Sequence, residues 1–312
     1  MSGEALKPVE YEQLVVGEEF GPVRVVVDDA AIKQHAFALD DYAALVDGAG
    51  LAHSSLLLAD LLRLLNLRYD PHHDRGLHQR EEFWVAAPLP AGTEVELHGV
   101  LTGIAWRRGR PYFTVEAEAR RVDDGSLVLR HRAVEAVGIG DPSALGGGSS
   151  RDDGASASRR ITGELPDAAA VALPLGADVA VGDRIPALGK RPTQTQVSVY
   201  SNVGAFWRTT HTDLEVARAE GLDRPIAQGL MEAAYLAELA HAAFGAPWLT
   251  TGHADIAFIA PMFPGDAVTA VGRVSAVEPR DDGRRVEIEC WIESDATGAK
   301  LAVGWVDAVL PD

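Results

Sequence analysis

The chain has 312 residues, 47% of them hydrophobic and 24% charged, and a net charge of −18. That composition fits one large or two ordinary globular domains, and the negative field argues against nucleic acid as a partner. No apolar run approaches the ~20 residues that span a bilayer, the opening MSGEALKPVEYEQL lacks the features of a signal peptide, and the single cysteine, Cys290, allows no internal disulfide, so a cytoplasmic protein without membrane contact is expected.

The first periodic element is an apolar helix expected over residues 54–67, after the polar material of HAFALDDYAALVDG and GLAHS. Leu56, Leu57, Leu58, Leu61, Leu62, Leu64 and Leu65 cover nearly all its sides, so it must be wrapped by other elements. DPHHDRGLH follows, with His72, His73 and His78. It lacks an i,i+4 histidine pair or cysteine partners and reads as a polar loop over a sheet, not a metal site. Strands come next, with PYFTVEAEARRV and SLVLRHRAVEAV alternating apolar and polar residues across an Asp124-Gly125 turn. WRRGR (106–110) is either a solvated hairpin tip or a small basic patch for an anionic ligand.

Residues 138–170 are rich in Gly, Ser, Asp and Ala without apolar periodicity, and read as a flexible linker. They divide the chain into domains at 1–137 and 171–312. The second domain repeats the plan of the first: a central helix over 230–244 ending at Gly245 as its C′ residue, then RRVEIECWIES and KLAVGWVDAVL as strands about an Asp282-Gly283 turn. Cys290 sits in one of these strands, where it reads as buried and inert. FWVAAPLPAGTEV parallels IAFIAPMFPGDAV, with Pro88 and Pro261, and Gly92 and Gly265, each 173 residues apart; Ala52 and Ala227 are 175 apart. So steady an offset at domain length indicates a duplication. The expected fold is α+β: two hot dog domains, each a long helix wrapped by antiparallel sheet, forming a pseudo-two-fold double hot dog. Edge-to-edge pairing of the halves would remove two exposed strand edges.

The stretch YSNVGAFWRTTHTDLEVARAEGLDRPIAQGLM (200–231) resembles the signature of the MaoC-like, or (R)-specific enoyl-CoA hydratase, family: an aromatic residue, Ser-Gly-Asp-x-Asn-Pro-x-His-x-Asp, a helix, then a Pro-Ile-Ala-His-Gly-like opening of the central helix. Tyr200, His211, Asp213 and PIAQG take the matching places, and APMFPGD resembles the strand-turn beyond the helix. The resemblance implies hydration of an enoyl thioester, or dehydration of a 3-hydroxyacyl thioester, carried by coenzyme A or acyl carrier protein. It calls for no cofactor. His211 would be the acid–base group and the Gly229 N–H the oxyanion donor; a helix N-terminus offers unpaired N–H groups for that purpose. Gly229 as a mere tight junction is the plainer reading.

Tyr200, Asn202, Phe206, Trp207, Arg208 and Gln228 are the candidate substrate-binding residues. The family's Asp falls on Phe206 and its Asn on Arg208, and phenylalanine can neither accept a proton nor orient water. In the first domain Asp41 takes the Asp place, but the histidine place falls on Val46, and Ser54, after His53, replaces the helix-opening glycine; Asp41 and His53 mark a degenerate site. Independent decay of the two sites is favoured over Asp41 and His211 completing one another. Thr212 and Glu215 form a capping box that explains Asp213 and Glu215 without catalysis. Arg208 would either clamp an anionic substrate group or pair with Asp213 or Glu215. The leading expectation is a hydratase or dehydratase adapted to an unusual acyl substrate; the alternatives are a non-catalytic partner of an active hot dog subunit, or thioester hydrolysis, isomerisation or cyclisation on the same platform. Association as a homodimer, or with another hot dog protein, fits these readings.

Overall fold

A computed structural model of the chain describes residues 6–43, 50–71, 76–107, 110–137, 160–201 and 208–312. Its elements form two runs of the same order. The first is β1 (Glu19–Val27), α1 (Asp29–Leu39), α2 (Leu58–Arg63), β2 (Leu77–Val85), β3 (Thr93–Arg107), β4 (Arg110–Arg121) and β5 (Leu127–Ala136). The second is β6 (Arg184–Lys190), α3 (Gln194–Ser201), α4 (Leu214–Ala219), α5 (Gly229–Phe244), α6 (Trp248–Thr251), β7 (Gly252–Phe258), β8 (Val268–Arg280), β9 (Gly283–Ser294) and β10 (Lys300–Leu310).

All ten strands join in one antiparallel sheet of order β1-β3-β4-β5-β2-β7-β10-β9-β8-β6. The order is the same read from either end, with β2 and β7 as the shared centre. The seam pairs Arg80 with Ala257, Phe83 with Ala254 and Val85 with Gly252. Arg80 adds a bidentate ion pair across it, Nε and Nη2 each 2.6 Å from an Asp255 carboxylate oxygen. The duplication also repeats hydrogen bond for hydrogen bond. The Ala52 N–H donates to Leu89 O and the Ala227 N–H to Met262 O, both at 2.8 Å; the Gly92 N–H donates to Val27 O and the Gly265 N–H to Pro192 O, both at 2.7 Å. Gly92 and Gly265 carry φ of +85° and +91°, a backbone that glycine adopts without a Cβ penalty.

Helix α5 is the central helix of the second half. Its sequence is apolar on nearly all sides, and Leu230, Met231, Ala234, Leu236, Ala237 and Ala240 are all buried. The first half is packed onto it through aromatic rings: Phe83 of β2 meets Trp248 edge-on, and Trp248 stacks on Phe244 of α5. Cys290 is buried in β9, where its thiol contacts the Gly304 carbonyl.

Two expectations are corrected. The first central helix does not run over 54–67. Residues 54–57 form turns, the α-helix covers only Leu58–Arg63, and a 3-10 turn, Leu64–Leu67, ends it. The leucines favour helix, but Ser55 is held by two histidines, its Oγ 2.7 Å from His53 Nδ1 and 3.0 Å from His35 Nε2, which ties the would-be first turn into a local loop. The segment 138–170 is not loose throughout either. Residues 138–159 lie outside the described residues, but further along the Thr162 hydroxyl and the Gly163 N–H donate to Glu289 Oε1, whose buried carboxylate needs donors.

Candidate active site

The site is built where α5 begins. The Ile226 N–H donates to Thr210 O and the Ala227 N–H to Met262 O, which pins the PIAQG stretch to the preceding loop and to the strand-turn beyond β7. Gln228 is extended, α5 starts at Gly229, and the Gly229 N–H donates to no other described residue. A Cβ at Gly229 would lie 3.1 Å from the Phe258 ring, so the glycine serves tight packing as well as leaving the helix end open.

His211 is half-buried beside this junction, its Nδ1 2.9 Å from the Ile226 carbonyl. A carbonyl only accepts, so Nδ1 carries the proton and Nε2 presents its lone pair. Burial lowers its pKa below the ordinary 6.5, against a smaller opposing effect of the carbonyl bond, so the ring is neutral at neutral pH. Helix α4, just beyond, is capped by Asp213 and not by Thr212. Asp213 Oδ1 accepts from the Glu215 and Val216 N–H groups. The Thr212 Oγ1 is turned back to accept from the Thr209 N–H, which leaves Asp213 as the last extended residue. Arg208 pairs with Asp213 at 2.7 Å and Glu215 at 2.6 Å, on the surface. The guanidinium holds Asp213 down to about 2. Arg208 also lines the cavity that opens onto this junction.

A cavity of about 600 Å³ opens onto this junction, lined among others by His211, Gln228, Gly229 and Glu232 from the second half and by Arg63 and His78 from the first. That volume suits a small-molecule ligand. Ser201 Oγ, Gln228 Oε1 and Glu232 Oε2 are buried with no hydrogen-bond partner among the described residues, and all three residues line the cavity. His78 is not in a polar loop; it belongs to β2, where a register shift between His78 and Arg80 breaks the alternation and brings it to the side of Glu81. Its Nε2 lies 3.2 Å from Glu81 Oε2 and its Nδ1 3.4 Å from Glu135 Oε1. Glu81 is in turn 2.9 Å from His131. Burial alone would depress the His78 pKa, but Glu135 and Glu81 overcome it and raise the group to about 9, so the ring is charged. Its edge rests on Phe258, the same ring that covers Gly229.

The other expected residues are dispersed. Asn202, Phe206 and Trp207 lie outside the described residues, as do Val46, His72 and His73. Tyr200 is buried with its ring 5.6 Å from that of His35, and it is not among the residues lining the cavity. Trp106 and Arg110 sit at the β3–β4 hairpin end and do not line it either. Asp41 and His53 do meet, at 3.9 Å, but beside His53 there is space of only about 10 Å³, roughly that of one water. His35 and His53 are both driven to about 3 by burial and remain neutral. Asp41 is not among the residues lining the cavity of His211. Among the described residues no cluster of His, Cys, Asp and Glu is placed to hold a metal ion, and no helix is long and apolar enough to cross a membrane.

Two cavity groups are not legible as site residues in the motif, Glu232 and the His78–Glu135 pair. The signal for Glu232 is its setting, an acid in the first turn of a largely apolar helix, between buried Met231 and Ala233.

Residues 179–293 match the family model described as a MaoC like domain. No curated protein sequence matches the chain. Among solved structures, a MaoC-like dehydratase superposes with a TM-score of 0.71 at 20% identity, over 96% of this chain and 100% of that one. A MaoC-like dehydratase from Phytophthora Capsici gives 0.69 at 13%, over 97% and 99%. A Mycobacterium tuberculosis protein described as having a double hotdog fold gives 0.62 at 14%, over 98% and 99%. At these identities the likeness to solved structures is one of fold. The sheet order and the superpositions agree on the architecture: the chain has a double hot dog fold, and residues 179–293, in its second half, are similar to the MaoC like domain.

Proposed function

We propose that the protein is a hydratase or dehydratase of acyl thioesters, acting at the 2,3-position in the cavity between the two halves. The observation that carries this reading is the pairing, in one cavity, of a neutral histidine whose Nε2 is free with the undonated N–H of a buried helix start. The thioester oxygen would accept from the Gly229 N–H, where the positive end of α5 stabilises a developing enolate. His211 Nε2 would exchange a proton with the α-carbon or with water. The acyl chain would lie against Leu62, Leu65 and Phe258, with Gln228 at the thioester end. Arg208 lines the same cavity while its guanidinium pairs with Asp213 and Glu215.

The test is turnover of trans-2-enoyl- and 3-hydroxyacyl-CoA of varied chain length by the purified protein and by His211→Ala. Hydration or dehydration that falls at least 100-fold in the variant supports the reading. An active protein whose H211A variant keeps its full rate removes His211 from the mechanism. Release of free thiol would assign thioester hydrolysis instead, and activity only in the presence of a second hot dog chain would assign a partner-subunit role.

A further inference from the structure

We propose that Glu232 supplies the acid that is lacking at Phe206, as the catalytic proton donor to the hydroxyl leaving group. The inference rests on the hydratase/dehydratase reading and adds the residue that the family motif leaves missing.

The placement follows from the helix. Gly229 and Glu232 are three residues apart on α5, which puts them on neighbouring positions of one face, about 4.5 Å apart along the axis. Both line the cavity that holds His211. A thioester whose oxygen meets the Gly229 N–H therefore has the Glu232 carboxyl one turn deeper, along the direction in which the acyl chain enters. Glu232 is only 2% exposed, and its Oε2 has no hydrogen-bond partner among the described residues. A buried carboxyl oxygen without a partner costs free energy in the empty protein. A substrate hydroxyl would satisfy it. Glu135, which also lines the cavity, is by contrast taken up by His78.

The protonation state agrees with the role. Burial holds the Glu232 pKa well above the ordinary 4.5, with no cation to oppose it. The partial positive charge at the helix start pulls the other way. The cavity thus presents a neutral base and a protonated acid together. In dehydration, His211 Nε2 takes the α-proton, and the C–H electrons pass to the thioester oxygen at the Gly229 N–H. They return to form the Cα=Cβ bond as the Cβ–O bond breaks, and Glu232 gives its proton to the departing hydroxyl, which leaves as water. One proton is gained by His211 and one lost by Glu232, so exchange with solvent restores both. Hydration is the reverse.

The experiment compares wild type, Glu232→Gln, Glu232→Met and His211→Asn in two assays. One is dehydration of a 3-hydroxyacyl-CoA. The other is exchange of the α-protons of the matching saturated acyl-CoA in deuterium oxide, which has no leaving group and needs only the base and the oxyanion donor. Glutamine keeps the shape without the proton, and methionine buries no polar atom, so at least one variant is expected to fold, as checked by thermal unfolding. The expected result is a loss of 10²–10⁴-fold in dehydration for E232Q and E232M, with exchange within about threefold of wild type, while H211N loses both. Dehydration within about threefold of wild type in a folded Glu232 variant overturns the assignment and leaves the hydratase reading intact. Equal loss of both activities also overturns it, since it makes Glu232 a structural or binding group. A wild type inert toward every enoyl- and 3-hydroxyacyl-CoA overturns the hydratase reading, and this assignment with it.

Discussion

Replacing His78 by glutamine tests the buried charge cluster that walls the cavity. His78 faces Glu81 on its own strand and Glu135 on β5, with His131 behind Glu81 and the Phe258 ring against its edge. Its pKa stands near 9 in the folded protein against 6.5 ordinarily. A folded value above the unfolded one means stability that is fully present below about pH 6.5 and lost as the pH rises through about 9. A difference of about 2.5 pH units corresponds to about 3 kcal/mol at low pH, about 2 at pH 7.5 and under 0.5 at pH 9. Glutamine cannot carry the charge, so the stability gap between wild type and H78Q is expected to shrink by about 2–3 kcal/mol between about pH 6 and pH 9.5. Urea unfolding of both proteins across that range measures it. His253, also raised to about 9 but by Asp307 and Glu82, is present in both proteins and cancels in the difference. A gap that stays constant with pH refutes the charged His78.

Asp213→Ala removes the cap of α4 and is expected to cost about 1 kcal/mol, seen as a melting temperature about 2–4 °C lower. Asp213→Asn keeps the accepting oxygen and should lose less than half of that; equal losses would make the Arg208 pair, and not the cap, the important contact. His53→Ala removes the partner of Ser55 in the first half, so unfolding in urea is expected earlier, by about 1 kcal/mol. Turnover should stay within about twofold, since the space beside His53 holds roughly one water. A tenfold fall in kcat for H53A would mean that the first-half site is at work.

The strands were the most legible part of the fold, because alternation is a local property of the chain. KLAVGWVDAVL is strand β10 residue for residue, and the paired turns at Gly92 and Gly265 recur in space as they do in sequence. The helix at 54–67 was misjudged because its fate depends on His35, a residue some 20 positions away that captures Ser55. The cap of α4 moved by one residue because Thr212 found a partner behind it, at Thr209, before it could serve the helix ahead. For the site, the motif led to His211 and Gly229 but not to what surrounds them. Arg63 reaches the carbonyl of Ser201, 138 residues on, and His78 arrives from the other half. Glu232 reads locally as an ordinary first-turn acid; only the packing of both halves over it reveals a carboxyl without a partner.

The seam at β2 and β7 makes two copies of one plan into a single gene product, and that changes what mutation can do. In a dimer of identical chains every substitution appears twice, so one pocket cannot be sealed without sealing its twin. Here a change at His53 is not copied to Gln228, nor one at Phe206 to Asp41. In the first half the space beside His53 has about the room of one water, and the same half contributes Leu62, Arg63 and His78 to the wall of the other half's cavity. Substitutions at Leu62, Arg63 or His78 can therefore reshape that cavity without changing His211, Gly229 or Glu232.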